Sequence, residues 1–170
     1  MDFERRNFFR RKMAKPEANT HILPWLNSHD VLYEACNRCD ICAKSCPEKI
    51  IVKGDGGYPT IDFHKGECTF CAKCASACPE PDIFIQTTSP PWNFIANLGE
   101  QCLAKRGVAC QSCQDVCETR AIRFVHQLGS TAQAIINLDD CTGCGACVSL
   151  CPTKAITIVK QDNHNLEEVV

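Results

Sequence analysis

Cys36-Asn37-Arg38-Cys39-Asp40-Ile41-Cys42-Ala43-Lys44-Ser45-Cys46-Pro47 is the stretch that decides the fold of this chain. Three cysteines follow one another with two residues between each, a fourth comes after three more, and a proline closes the run. The same spacing, C-x2-C-x2-C-x3-C-P, returns at Cys68, Cys71, Cys74, Cys78 and Pro79, and again at Cys141, Cys144, Cys147, Cys151 and Pro152. A further group, Cys102, Cys110, Cys113 and Cys117, has its first member displaced and is followed by Glu118 instead of proline. Together these groups take up all 16 cysteines of the 170 residues. Aromatic residues are only 7% of the chain, thin material for an ordinary core. Small domains short of apolar bulk fold with the help of disulfides or metals. The cysteines therefore either cross-link this chain or ligate something inside it.

The spacing suits an iron–sulfur cubane. Three thiolates two residues apart wrap one face of a small object, and the backbone N–H groups of so tight a loop point inward at the sulfurs. The fourth cysteine has turned away, and in two-cluster proteins of this pattern it ligates the other cluster. On that rule Cys36, Cys39, Cys42 and Cys78 are expected to hold a first 4Fe-4S cluster, and Cys68, Cys71, Cys74 and Cys46 a second. Cys102, Cys110, Cys113 and Cys151 would hold a third, and Cys141, Cys144, Cys147 and Cys117 a fourth. Gly143 and Gly145 suit a loop whose backbone must come close to its cluster. Cys102 stays open between a ligand and a buried structural thiol beside a three-iron or labile third centre. Polar Gln111, Ser112, Gln114 and Asp115 between the cysteines of that group predict higher solvent access and a more oxygen-sensitive cluster there. Structural zinc would use C-x2-C pairs set well apart. Disulfides between neighbours in such a run have poor geometry and need an oxidising compartment.

A longer repeat is superimposed on the cysteine pattern. Ile50-Ile51-Val52, a turn at Gly54-Asp55-Gly56-Gly57, and Thr60-Ile61-Asp62-Phe63 separate the first two groups; Ala121 to Val125, a loop with Gly129-Ser130, and Ala134 to Asn137 separate the last two. Both read as short strands joined by a turn. The fold class is therefore α+β: two tandem bacterial-type two-cluster ferredoxin-like modules, each of short β-hairpins and short helices around cluster-binding loops. Residues 31–89 form the first module and 102–160 the second. Residues 1–30 read as a basic N-terminal tail and 161–170 as a C-terminal tail. Residues 90–101 read as a linker. Pro90-Pro91 stops the strand Ile83-Phe84-Ile85, and Trp92, Ile95, Leu98 and Cys102 recur at helical spacing, which predicts a short helix there.

The formal charge is −2 with cysteines neutral. Four dicationic clusters on sixteen thiolates bring the total to roughly −10, which disfavours nucleic acid and favours a partner with a basic face. Arg5-Arg6 superficially resembles a twin-arginine export signal, but Arg10, Arg11, Lys12, Lys15 and Glu17 interrupt any apolar stretch after it. The protein is read as cytoplasmic. The longest uncharged run, Ile83 to Gly99, contains Pro90, Pro91 and polar side chains and does not span a bilayer. Residues 1–15 carry six basic and two acidic side chains interleaved with Phe3, Phe8 and Phe9. They are either a solvated tail or a docking segment for a partner or an anionic membrane surface. No phosphate loop or dinucleotide fingerprint is present, and His21, His29, His64, His126 and His164 are dispersed. The chain is expected to be an electron carrier with no catalytic residues of its own.

Several stretches carry a more specific likeness: Arg5-Arg6 at the start, Pro24-Trp25 before the first group, Gly56-Gly57-Tyr58-Pro59 before the second, Gly99-Glu100-Gln101-Cys102-Leu103-Ala104 entering the displaced group, and Glu118 after Cys117. In these the chain resembles the NapF family, the ferredoxin-type accessory proteins of periplasmic nitrate reductase systems. The resemblance implies a cytoplasmic protein that meets the catalytic molybdenum subunit before export and supports its maturation, supplying electrons. The competing expectation is a permanent electron-transfer subunit of a multi-subunit oxidoreductase, and a third is a free cytosolic ferredoxin.

Overall fold

The structure, a computed structural model, describes residues 22–161 except 86, 89, 127, 128 and 130. The basic segment, His21, Ser130, His164 and the C-terminal tail beyond residue 161 lie outside the described residues.

Short elements follow from cysteine-dense loops that leave little room for regular structure. In the first half, helix α1 (His29–Ala35) is capped by Ser28, whose hydroxyl accepts from the Val31 N–H at 3.2 Å, and it buries Leu32 completely. Helix α2 (Ile41–Ser45) then leads to strands β1 (Ile51–Lys53) and β2 (Pro59–Ile61), which pair antiparallel with Ile51 opposite Ile61. Helix α3 (Lys73–Ser76) follows. The second half opens with β3 (Phe94–Leu98) and continues through α4 (Ser112–Asp115), β4 (Ile122–Val125), β5 (Gln133–Ile136), α5 (Ala146–Ser149) and β6 (Ile156–Lys160). β4 pairs antiparallel with β5, and β3 with β6 over five residue pairs from Phe94↔Lys160 to Leu98↔Ile156.

The two halves repeat one plan. A central hairpin lies between two cysteine-bearing helices, and the chain ends of each half pair with each other. In the second half that outer pair is β3–β6; in the first it shrinks to one bridge, Leu26↔Phe84, flanked by backbone bonds from Asn27 to Ile83 and from Ile85 to Trp25. Both expected hairpins are present at the expected places.

Two sequence expectations need correction. Residues 94–98 are a strand, not a helix: Phe94, Ala96 and Leu98 alternate toward the core, Ala96 is 3% exposed, and β6 supplies the hydrogen-bond ladder that a helix would forgo. The helical spacing of Trp92, Ile95 and Leu98 fits the period by coincidence. The packed region also begins earlier than residue 31. Leu23 and Trp25 are buried, and Leu23 belongs to the same core as Leu32, Ile50 and Ile83. Residues 22–30 are therefore structural parts of the first half, and not tail.

Packing joins the halves. The Trp25 N–H donates to the Pro91 carbonyl at 2.6 Å. Trp25, Phe70 and Trp92 stand edge to face in succession, and Trp92 also meets Phe63 and Phe94 at ring distances of 6.1 and 6.0 Å. Phe63 leaves its own hairpin to enter the second half's core beside Ile122, Val148 and Ile156.

Candidate iron–sulfur sites

Three of the four cysteine loops are built by backbone in the left-handed region. Arg38 and Asp40 flank Cys39 at φ 60 and 63, Phe70 and Ala72 flank Cys71 at φ 49 and 56, and Gly143 and Gly145 flank Cys144 at φ 68 and 85. Each non-glycine residue held so costs about 1 kcal/mol or more. The strain curls the loop so that successive N–H groups face one point, the arrangement that receives an anion. At the last loop glycine is needed twice over. A Cβ on Gly143 would collide with the Phe94 carbonyl, and one on Gly145 would enter the Phe63 ring. The displaced group is different: neither residue flanking Cys110 is left-handed, and Cys102 arrives from a separate turn after β3.

These loops gather the thiols in fours. Cys36, Cys39, Cys42 and Cys78 line one cavity; Cys46, Cys68, Cys71 and Cys74 line a second; Cys102, Cys110, Cys113 and Cys151 line a third. In these three cases the last cysteine of one group joins three of its partner group. Cys147 feels the charges of Cys144 and Cys141, and Cys117 and Cys141 both pack against the buried cluster containing Cys147. All sixteen cysteines are free thiols. Among the described residues no three His, Cys, Asp or Glu side chains converge tightly enough to hold a single metal ion. The thiols ring a space, and the donor set of four soft sulfurs with apolar surroundings fits a cluster.

Electrostatics explain why these sites require metal. Burial pushes the Cys74 and Cys147 thiols up to about 12 and the Cys42, Cys68 and Cys113 thiols up to about 11, with neighbouring cysteines adding repulsion. Cys78 and Cys144 are raised by burial as well. Four bare thiolates cannot share such a space; iron supplies the compensating positive charge. Cys151 goes the other way. Burial would raise it, but the Ala155 N–H, 3.2 Å from its sulfur, and the Thr153 hydroxyl, at 3.7 Å, bring it below the ordinary thiol value.

The family models match the same two halves: a 4Fe-4S dicluster domain at residues 35–83 and another at 107–155. The Haemophilus influenzae ferredoxin-type protein NapF is 44% identical over 122 residues, which is 72% of this chain and 69% of that one. The chain belongs to the NapF family of ferredoxin-type proteins. The NapF of Escherichia coli K12 is 41% identical over 122 residues, 72% of this chain and 74% of its own. No solved structure matches the chain. Two dicluster domains carry two clusters each, so this NapF-family protein is an iron–sulfur electron carrier with four 4Fe-4S clusters. Among the described residues no helix is long and apolar enough to cross a membrane.

Against the sequence reading, the displaced group is the sheltered one. Cys102 and Cys113 are buried, whereas Cys39 and Cys71 in the first half are exposed. Of the polar side chains that suggested wetness, Gln114 turns in to accept from the Phe124 N–H at 2.9 Å, Gln111 and Asp115 are exposed, and Ser112 alone stands at the cavity, 3.8 Å from the Cys110 sulfur. His64 and His126 are exposed, and His29 rests against Tyr33. Sequence reasoning missed Thr119 and Thr153, each two residues beyond a fourth cysteine and 3.7 Å from its sulfur. Their common offset was the signal.

Proposed function

We propose that the crossed sets of cysteines are the ligand sets. Cys36, Cys39, Cys42 and Cys78 hold the first cluster; Cys68, Cys71, Cys74 and Cys46 the second; Cys102, Cys110, Cys113 and Cys151 the third; Cys141, Cys144, Cys147 and Cys117 the fourth. The observation that carries this reading is the gathering of four thiols around each of three cavities, three from one group and the last from the other, and the repeat extends it to the fourth set. Each cluster, when bound, accepts and releases one electron without bond making or breaking. The chain's own residues fix the thiols, exclude water with Phe63, Ile122 and Val148, and donate N–H groups to sulfur, as Ala96 does to Cys141 at 3.4 Å.

The protein works in the cytoplasm as an electron-transfer accessory, not as an enzyme. It binds the catalytic molybdenum subunit of periplasmic nitrate reductase before export and passes electrons to it during maturation. Membership in the NapF family supports this role. The test has two arms. Anaerobic protein should hold about sixteen iron and sixteen acid-labile sulfide per chain, with coupled reduced-cluster signals in EPR. The pre-export molybdenum subunit should bind the holo-protein in a pull-down and the exported, mature subunit should not. Equal capture of the mature enzyme would turn the accessory into a permanent subunit.

A further inference from the structure

The two modules meet at their cluster loops. The Cys68 N–H donates to the Cys144 carbonyl at 2.8 Å, and Cys68 lies in the electrostatic field of Cys144. Glu67, one residue away, also acts on Cys144. Within the modules, Cys74 feels Cys42, and Cys147 feels Cys113. The sites are thus strung in the order first, second, fourth, third.

Their surroundings change along that string. The first cavity is mixed: Arg38, Asp40 and Glu80 line it, and Asp40 is held by Lys53 at 2.6 Å. The second is lined by Glu48 and Glu67 with no cationic side chain. At the fourth, Glu67 still bears on Cys144, but the Thr119 hydroxyl stands 3.7 Å from the Cys117 sulfur and the Ala96 N–H points at Cys141. The third cavity has no charged lining at all; Ser112 and Thr153 stand there, 3.8 Å from Cys110 and 3.7 Å from Cys151. The position two residues after the fourth cysteine is Glu48 or Glu80 in the first module and Thr119 or Thr153 in the second. Nearby negative charge disfavours adding an electron, and hydrogen bonds to sulfur favour it.

We propose that the chain is one polarised wire, in which Glu48 and Glu67 hold the second site lowest in potential and Ser112 and Thr153 hold the third, at the far end of the string, highest. This rests on the ligand sets proposed above. One electron enters the first module from a low-potential one-electron donor and leaves from the third site to a one-electron-accepting metal centre of the partner. No proton or bond is exchanged on the way. Delivery therefore takes place through the face around Cys110, Ser112 and Thr153, and the first module faces the donor.

The test is an EPR-monitored potentiometric titration of anaerobic, iron-counted protein. The wild type should reduce in separate waves. Glu48→Gln with Glu67→Gln should raise the lowest wave and leave the highest in place. Ser112→Ala with Thr153→Ala should lower the highest and leave the lowest. The two pairs are read independently, so poor iron loading of one leaves the other to decide. Full iron loading with both pairs titrating as wild type, or the glutamate pair moving only the highest wave, overturns the polarity alone. Wild-type protein well short of sixteen iron overturns the ligand sets, and the wire with them.

Discussion

Cys102 carries the largest residue-scale consequence. It is 9% exposed and stands at the cavity shared with Cys110, Cys113 and Cys151, away from the tight loop that its counterparts occupy. If it is a ligand, Cys102→Ala removes one of four thiolates, and iron should fall by about a quarter, from roughly sixteen to roughly twelve per chain. Unchanged iron and an unchanged EPR spectrum would make it a packing thiol. A second expectation concerns protons. The buried thiols pushed up to about 11 or 12 are protonated at neutral pH, whereas iron binds the thiolate. Loading must release protons, so it is favoured as pH rises and opposed as pH falls. Anaerobic reconstitution should run faster at pH 9 than at pH 7 and acidify a weakly buffered solution; a pH-independent rate would contradict this. The cysteine spacing made every thiol visible in the sequence. The residues that shape the loops were not visible, because a left-handed Arg38, Phe70 or Ala72 has no compositional mark.

At the scale of elements, the hairpins could be read because β-branched runs on either side of a glycine turn have a local cause. The β3–β6 pair could not. Its partners are separated by about 60 residues of chain, and its ladder exists only after the second module has closed. Nothing near Phe94 announces Ile158, whereas Trp92, Ile95 and Leu98 happen to match a helical period. The strand also has a task that a helix would not perform: the Ala96 N–H points at the Cys141 sulfur. Ala96→Pro takes away that donor and places a ring at a 3%-exposed position in the ladder. The fourth cluster should become labile, and iron should be lost to a mild chelator faster than from wild type, while the first module's signals persist. Equal chelation rates in both proteins would deny the strand that role.

For the whole molecule, the modules are welded by the aromatic seam of Trp25, Phe70, Trp92 and Phe63 and by the Cys68–Cys144 contact, yet they do not shelter their clusters equally. Oxidative loss begins where oxidant and water reach thiolate sulfur. In the first module Cys39 and Cys71 are exposed; in the second, Cys102, Cys113 and Cys147 are buried and none of the eight cysteines is exposed. The seam covers Cys144 and its glycines with Phe63 and Trp92, whose indole N–H is anchored to the Thr142 carbonyl at 2.8 Å. Limited exposure to air should therefore dismantle the first module first. Alkylation of the released thiols, located by mass spectrometry, should label Cys39 and Cys71 early and Cys102 and Cys113 late. Early labelling of Cys102 and Cys110 would mean that burial in the folded chain does not govern attack, and that the displaced group is weak for a reason intrinsic to its longer loop. Phe63→Ala separates the two possibilities further. It opens the seam without touching a cysteine, so if burial governs, labelling of Cys144 and Cys147 should advance toward that of Cys71.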